Sequence, residues 1–192
     1  MVAIGGNSRL SPELPPTVAN PSAASGRAMG PVAELLERGE HLVMTHGNGP
    51  QVGFMQLRSE LARDELPEVP LDSLVADSQG ATGYMRERAL RAELRSRDHD
   101  APVVTVVTEV EVDPGDPAFE CPDKPIGQFY DPTDVEELER ARGWRMAIDP
   151  RRGARRVVAS PQPRRIVQLD TIRRLVDLGI TVICCGGGGI AV

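Results

Sequence analysis

Three glycine clusters, each directly after a short apolar run, are the residues of this chain best suited to chemistry. Gly47-Asn48-Gly49 follows Leu42-Val43-Met44 and leads into Phe54-Met55-Gln56-Leu57-Arg58, which can continue as a helix. Gly5-Gly6-Asn7 follows Val2-Ala3-Ile4, and Gly186-Gly187-Gly188-Gly189 follows Thr181-Val182-Ile183-Cys184-Cys185. A strand that ends in glycines and opens a helix gathers unpaired backbone N–H groups at the helix N-terminus, where the helix dipole also favours negative charge. Pro50 suits the first helical turn, because its missing N–H would be unpaired there anyway. Three such junctions predict a single crevice at the carboxyl ends of parallel strands.

The residues alone leave the choice open between a phosphate or carboxylate cradle and tight turns. Gly47-Asn48-Gly49 with Gly53 spells GxGxxxG, one residue longer than the dinucleotide fingerprint. The GxxxxGK[ST] loop is absent, since Lys124 is followed by Pro125. Lys124 stands out for another reason: of 22 lysines and arginines it is the only lysine. A chain that uses arginine everywhere else points to a need for a compact ammonium at this position. The alternatives are chance and an exposed loop lysine. The run Arg151-Arg152-Gly153-Ala154-Arg155-Arg156 reads as a solvated face or as a funnel for anions. Asp113, Asp116 and Glu120 lack regular ligand spacing and read as turn residues, and His41 and His99 read as surface residues.

Composition narrows the class. A length of 192 residues suits one domain with an ample core, and an apolar content of 40% makes it globular. With aromatics at only 3%, that core must rest on Val, Leu, Ile, Ala and Met. The net charge of −6 argues against nucleic acid as a partner. No apolar run approaches the roughly 20 residues of a membrane span, and the N-terminus carries no signal-peptide pattern. The three cysteines show no CxxC spacing; the adjacent Cys184 and Cys185 read as small core residues at the end of a strand, and the compartment as the cytoplasm.

The elements that must position these residues follow from pattern. Residues 21–38 predict a helix, kinked or in two pieces at Gly26, Gly30 and Pro31, after a loop over 8–20. His41 to Thr45 predicts a strand, 52–63 a helix, and 71–97 a long amphipathic helix. Residues 102–110 are β-branched almost throughout and predict one strand. From Asp113 to Pro163 prolines and glycines are dense, which predicts an insertion holding Lys124, a short helix over 132–142 and a strand at 156–158. Residues 164–178 predict an amphipathic helix capped by Gly179, and 180–185 a strand.

Gly5-Gly6-Asn7, His46-Gly47-Asn48-Gly49-Pro50-Gln51-Val52-Gly53, Lys124-Pro125-Ile126-Gly127 and Gly186-Gly187-Gly188-Gly189-Ile190, in this order and spacing, resemble the carbamate kinases of the amino acid kinase family. The resemblance runs from Met1 to Val192. It implies an α/β fold, a three-layer αβα sandwich with a mainly parallel open sheet. Residues 1–112 and 164–192 would form an acceptor-binding lobe, and 113–163 a protruding lid. The implied reaction is phosphoryl transfer between ATP and carbamate, giving ADP and carbamoyl phosphate with Mg²⁺ assisting, often run toward ATP in arginine breakdown.

Carried over residue by residue, the resemblance makes Lys124 the catalytic lysine. Gly5, Gly6, Asn7, Gly47, Asn48, Gly49, Gly186, Gly187 and Gly188 become substrate-binding, and no metal ligand is implied. His46 is expected to support its loop, since the attacking carbamate oxygen is already anionic and needs no base. The family pattern has an aromatic residue where Ala154 stands, so lid packing is expected to differ. A homodimer is implied, with the long helix near its interface. The family continues past the final glycines into a second lobe that carries most nucleotide contacts, so the expectation is a truncated form with the ATP/ADP site largely outside these residues. The alternative expectation is a non-catalytic fragment, or one half of a split enzyme, that binds an oxyanion only.

Overall fold

The computed structural model describes residues 1–5 and 20–192, with the side chains of 20–27 excepted. Gly6, Asn7 and nearly all of the loop expected over 8–20 lie outside the described residues. In chain order the first elements are β1 (Val2–Ile4), α1 (Asn20–Glu37), β2 (Val43–His46), α2 (Gly49–Leu61), α3 (Leu71–Ser96), β3 (Val103–Thr105) and β4 (Glu109–Val112). There follow β5 (Lys124–Tyr130), α4 (Val135–Arg142), β6 (Arg145–Asp149), β7 (Gly153–Val158), β8 (Pro163–Ile166), α5 (Leu169–Asp177), β9 (Thr181–Ile183) and β10 (Ile190–Ala191). Among the described residues no helix is long and apolar enough to cross a membrane.

β1, β2, β9 and β3 form a parallel sheet in that order. Its central strand shows why both faces must be covered. Successive side chains of a strand point to opposite faces, and Val182 and Ile183 are both fully buried. Ile183 joins a cluster with Met29, Val32, Leu36, Leu90 and Leu94 from α1 and α3, whereas Val182 packs with Ile172 of α5. Helices therefore lie on both sides of the sheet, in three layers. Each fully buried aliphatic side chain contributes about 1.5–3 kcal/mol, so this double cluster anchors the strand ends that carry the glycines.

α1 runs unbroken through Pro31, where the sequence predicts a kink or a break. Pro31 sits on the exposed side, while Met29, Val32, Ala33 and Leu36 form a buried stripe at helical spacing. Tertiary packing of that stripe outweighs the local penalty of the proline. Gly39 closes the helix at φ +81°.

Two further expectations change. The single strand over 102–110 is two strands, interrupted over 106–108, and the second belongs to another sheet of order β10-β4-β8. Residues 163–166 form β8, antiparallel to β4, so α5 begins only at Leu169. Side chains on β4 hold this segment extended. Gln168 accepts from the Glu109 N–H (2.8 Å) and donates to the Glu109 carboxylate (2.9 Å), and Arg165 pairs with Glu111.

β5, β7 and β6 form an antiparallel sheet of their own, with α4 beside it. Trp144 is buried there between the guanidinium groups of Arg142 (4.6 Å to the ring centroid) and Arg156 (4.7 Å), with Tyr130 edge-on at 5.9 Å. Ala154 is fully buried opposite Tyr130, so aromatic packing in this sheet comes from Tyr130 and Trp144. Asp113 and Asp116 close turns, accepting from the Gly115 and Ala118 N–H groups at 2.9 Å each.

Candidate active site

A cavity of about 390 Å³ opens where the parallel sheet, the β10-β4-β8 sheet and the start of β5 meet. Asn48, Gly49, Lys124, Gly187 and Gly188 all line it, so two of the glycine clusters and the sole lysine converge. Gly49 is the first residue of α2, and its N–H makes no hydrogen bond among the described residues. The same holds for the Gly187 N–H at the final glycine turn. These are donors with no internal acceptor, directed from a helix start and from a left-handed turn at φ +67°.

The remaining predicted residues divide by what their backbone does. The Gly47 N–H donates to the Ile4 carbonyl (3.1 Å), which commits it to the link between β1 and β2. Gly188 donates to the Cys185 carbonyl (3.1 Å), so it lines the cavity with its N–H already used. Gly186 is buried behind the loop, where an added Cβ would lie 2.5 Å from His46 Cε1 and 2.9 Å from Gln79 Cγ. Gly5, directly after β1, is not among the described residues that line the cavity, and Gly6 and Asn7 lie outside the described residues. His46 is buried, with Nδ1 3.2 Å from the Gly47 carbonyl.

Side chains that the sequence reading overlooked hold these loops. Asn48 donates through Nδ2 to Ser78 Oγ (2.7 Å), which in turn donates to the Val75 carbonyl (2.7 Å). Gln79 acts like a strip of strand. Its Oε1 accepts from the Thr108 N–H (2.9 Å) and its Nε2 donates to the Thr108 carbonyl (3.0 Å), directly before β4 begins. Thr108 Oγ1 accepts from the Cys185 N–H (3.0 Å) and so fixes the entry to the glycine turn. A signal existed: Ser78, Gln79 and Thr82 fall on the buried stripe of α3 between Leu74 and Leu90, where apolar residues are expected.

Lys124 is exposed at the start of β5 and lines the cavity from the opposite wall. Behind it, β5 rests on α2. A Cβ on Gly53 would lie 3.5 Å from Gly127 Cα, so two glycines from separate motifs meet backbone to backbone. Tyr130 on the same strand donates to Glu60 of α2 (2.8 Å), and Glu60 also accepts from Gln56 (2.9 Å). Burial, with the Glu60 hydrogen bond second, pushes the Tyr130 hydroxyl up to about 12. The arrangement places one ammonium on the same cavity as the backbone donors of Gly49 and Gly187. Asp72 is the carboxylate on its wall, with Oδ1 taken by the Ser73 N–H (2.8 Å). Among the described residues no group of three or more His, Cys, Asp or Glu is placed to hold a metal ion.

Known proteins resemble this chain in sequence and in fold. A carbamate kinase from Pyrococcus horikoshii is 48% identical over 163 residues, covering 84% of this chain and 52% of the relative. The carbamate kinase-like protein YahI of Escherichia coli K12 is 45% identical over 195 residues, covering 100% of this chain and 61% of the relative. A solved carbamate kinase from Giardia lamblia, bound to AMP-PNP, superimposes with a TM-score of 0.90 at 37% identity, covering 99% of this chain and 60% of that one. Over the part of them that it spans, this chain is a homologue of the carbamate kinases. No protein-family model matches it. The chain spans between 52% and 61% of the length of these carbamate kinase relatives. The three-layer α/β arrangement with a parallel sheet is thus the carbamate kinase fold over the part the chain covers.

Proposed function

We propose that the chain contributes the acceptor side of a carbamate kinase reaction, ATP plus carbamate giving ADP plus carbamoyl phosphate. The observation that carries this is the convergence of Lys124 with the unpaired N–H groups of Gly49 and Gly187 on one cavity. In the forward direction the carbamate oxygen attacks the γ-phosphorus of ATP, the bond from that phosphorus to the bridging oxygen breaks, and ADP leaves with the electron pair. No proton need be removed, because the attacking oxygen is already anionic. The chain's task is therefore to hold two anions in line and offset their repulsion. Backbone donors fixed before the reaction do this without reorganisation, and Lys124 adds a full charge that can follow the phosphoryl group. The His46 imidazole supports the loop.

Mg²⁺ enters with the nucleotide as part of that substrate, and the AMP-PNP held by the Giardia relative supports ATP as the donor. The layout supports a lobe over 1–112 and 164–192 and a lid over 113–163. Residues Gly5, Gly6, Asn7, Gly47 and Gly186 complete the substrate cradle in this reading, Gly47 and Gly186 by shaping it. Action as a homodimer in the cytoplasm, often in the ATP-forming direction during arginine breakdown, belongs to the same proposal. A second reading, oxyanion binding without turnover, is favoured by Lys124 being the sole lysine, which leaves one ammonium for both phosphoryl and acceptor.

The test is ATP formation from ADP and freshly dissolved carbamoyl phosphate, with a Lys124→Ala control. Turnover that falls with the substitution supports the kinase reading. No turnover from a folded chain that still binds carbamoyl phosphate supports the second.

A further inference from the structure

Of the arginine run, only Arg155 lines the cavity. Strand alternation separates it from its neighbour: Arg156 lies half-buried against Trp144 on the other face of β7, where burial pulls its pKa down. Arg152 is occupied with Asp149 (2.7 Å), and Arg151 is exposed at the turn before β7.

Arg155 is held in a specific pose. Its Nε donates to the Gly127 carbonyl (3.0 Å), and its guanidinium carbon lies 5.1 Å from the Phe129 ring centroid. Gly127 sits at φ +71°, within the register shift of β5 between Ile126 and Tyr130. Among the described residues no carboxylate lies within 4.0 Å of Arg155 to offset its charge. With Nε spent on Gly127, the two terminal nitrogens are left as a planar donor fork. Lys124, at the other end of the same stretch of β5, is a point charge without such geometry.

Resting on the acceptor-site reading above, we propose that Arg155 is the second cation of this cavity and its specificity-determining residue. Its fork takes the planar, carboxyl-derived end of the acceptor, while Lys124 serves the phosphoryl end. The division follows from shape. A fork matches two oxygens in a plane, and a rotatable ammonium matches a tetrahedral group that moves during transfer.

Calorimetric titration of this chain with phosphonoacetate, which carries a planar two-oxygen carboxylate beside a tetrahedral phosphonate, and with inorganic phosphate tests the proposal. The variants are Arg155→Gln and Arg155→Lys, each checked for folding by circular dichroism. Both should weaken phosphonoacetate at least about tenfold, the scale of a charged hydrogen-bonded contact, and leave phosphate within about threefold. If Arg155→Gln does not fold, Arg155→Lys decides alone, since it keeps the charge and loses only the fork. Phosphonoacetate binding by Arg155→Lys at wild-type strength, or equal losses for both ligands, would overturn the assignment. If the unsubstituted chain binds neither ligand, the acceptor-site reading fails, and this assignment fails with it. Wild-type binding that the variants leave unchanged sinks only the role of Arg155.

Discussion

The Asn48 amide lies against the Gly187 α-carbon so closely that a Cβ there would overlap it. Two glycine clusters separated by more than a hundred residues are fitted together at this contact. Asn48 is aligned by Ser78 and lines the cavity, so whatever displaces it alters the anion site. Gly187→Ala meets two obstacles, the Asn48 overlap and a left-handed backbone that costs an L-residue about 1–2 kcal/mol. We expect lower stability by at least that amount together with weaker phosphate binding. Denaturant unfolding and a phosphate titration on the same sample check both.

Gly83 provides a contrast far from the cavity. α3 crosses β3 there, and a Cβ would overlap the Thr105 side chain, whose Oγ1 donates to Glu87 (3.0 Å). Gly83→Ala gains up to about 1 kcal/mol of helix propensity but overpacks the contact at about 1–3 kcal/mol. The chain should lose stability overall while folded molecules bind phosphate normally. Binding that fell in step with Gly187→Ala would mean that α3 transmits the disturbance.

The contact between Tyr130 and Glu60 makes the seating of the β5-β7-β6 sheet sensitive to alkaline pH. The folded state holds the Tyr130 proton more tightly than an ordinary tyrosine, with values of about 12 against 10.0. A raised pKa gives stability that is complete below pH 10 and is lost as pH rises from 10 to about 12. Trp144, the chain's one tryptophan, lies 5.9 Å from Tyr130 and reports the change by fluorescence. Tyr130→Phe should remove that transition and cost about 1–2 kcal/mol by loss of a hydrogen bond to a carboxylate.

The adjacent cysteines should differ in reactivity. Their mutual hydrogen bond, aided by Thr108, pulls the Cys185 thiol down to about 7, while the same bond and burial push Cys184 up. Iodoacetamide should therefore modify Cys185 ahead of Cys184, with a rate that climbs through pH 7. Peptide mass mapping across pH reads this directly. Equal labelling of both sulfurs would contradict the asymmetry.

Much of this was legible in residue patterns, for physical reasons that also explain the failures. Strand-to-glycine junctions are local, and so β2 leading into α2 and β9 leading into the final turn were readable. The buried stripe of α1 is equally local, yet the weight of its packing against α3 is not, and Pro31 alone misleads. The β8 segment reads as the start of an amphipathic helix, and its pairing with β4, more than fifty residues away, together with contacts such as Arg165 with Glu111, holds it extended. In the candidate site, glycines and Lys124 announced themselves by type. Gln79 and Ser78 look like ordinary helix residues, and their meaning depends on Thr108 and Asn48 being brought beside them. Arg155 was visible only as part of a run, because which face of β7 it takes is set by Trp144 on the other.

Val112 and Pro163 are register partners in the β4-β8 pair, so the chain leaves for the segment between them and comes back at the same place. The root of that segment is clamped by Arg164 with Asp113 and Arg165 with Glu111, whatever lies farther out. It is mounted like a cartridge on a two-pronged socket. Beyond the socket, its seat on α2 runs through Gly127 and Tyr130. Replacing the fifty intervening residues by a tight turn, or by the corresponding piece of another relative, would then leave the wiring of the parallel sheet intact. Substrate preference could be exchanged as a cassette, without rebuilding the scaffold beneath it.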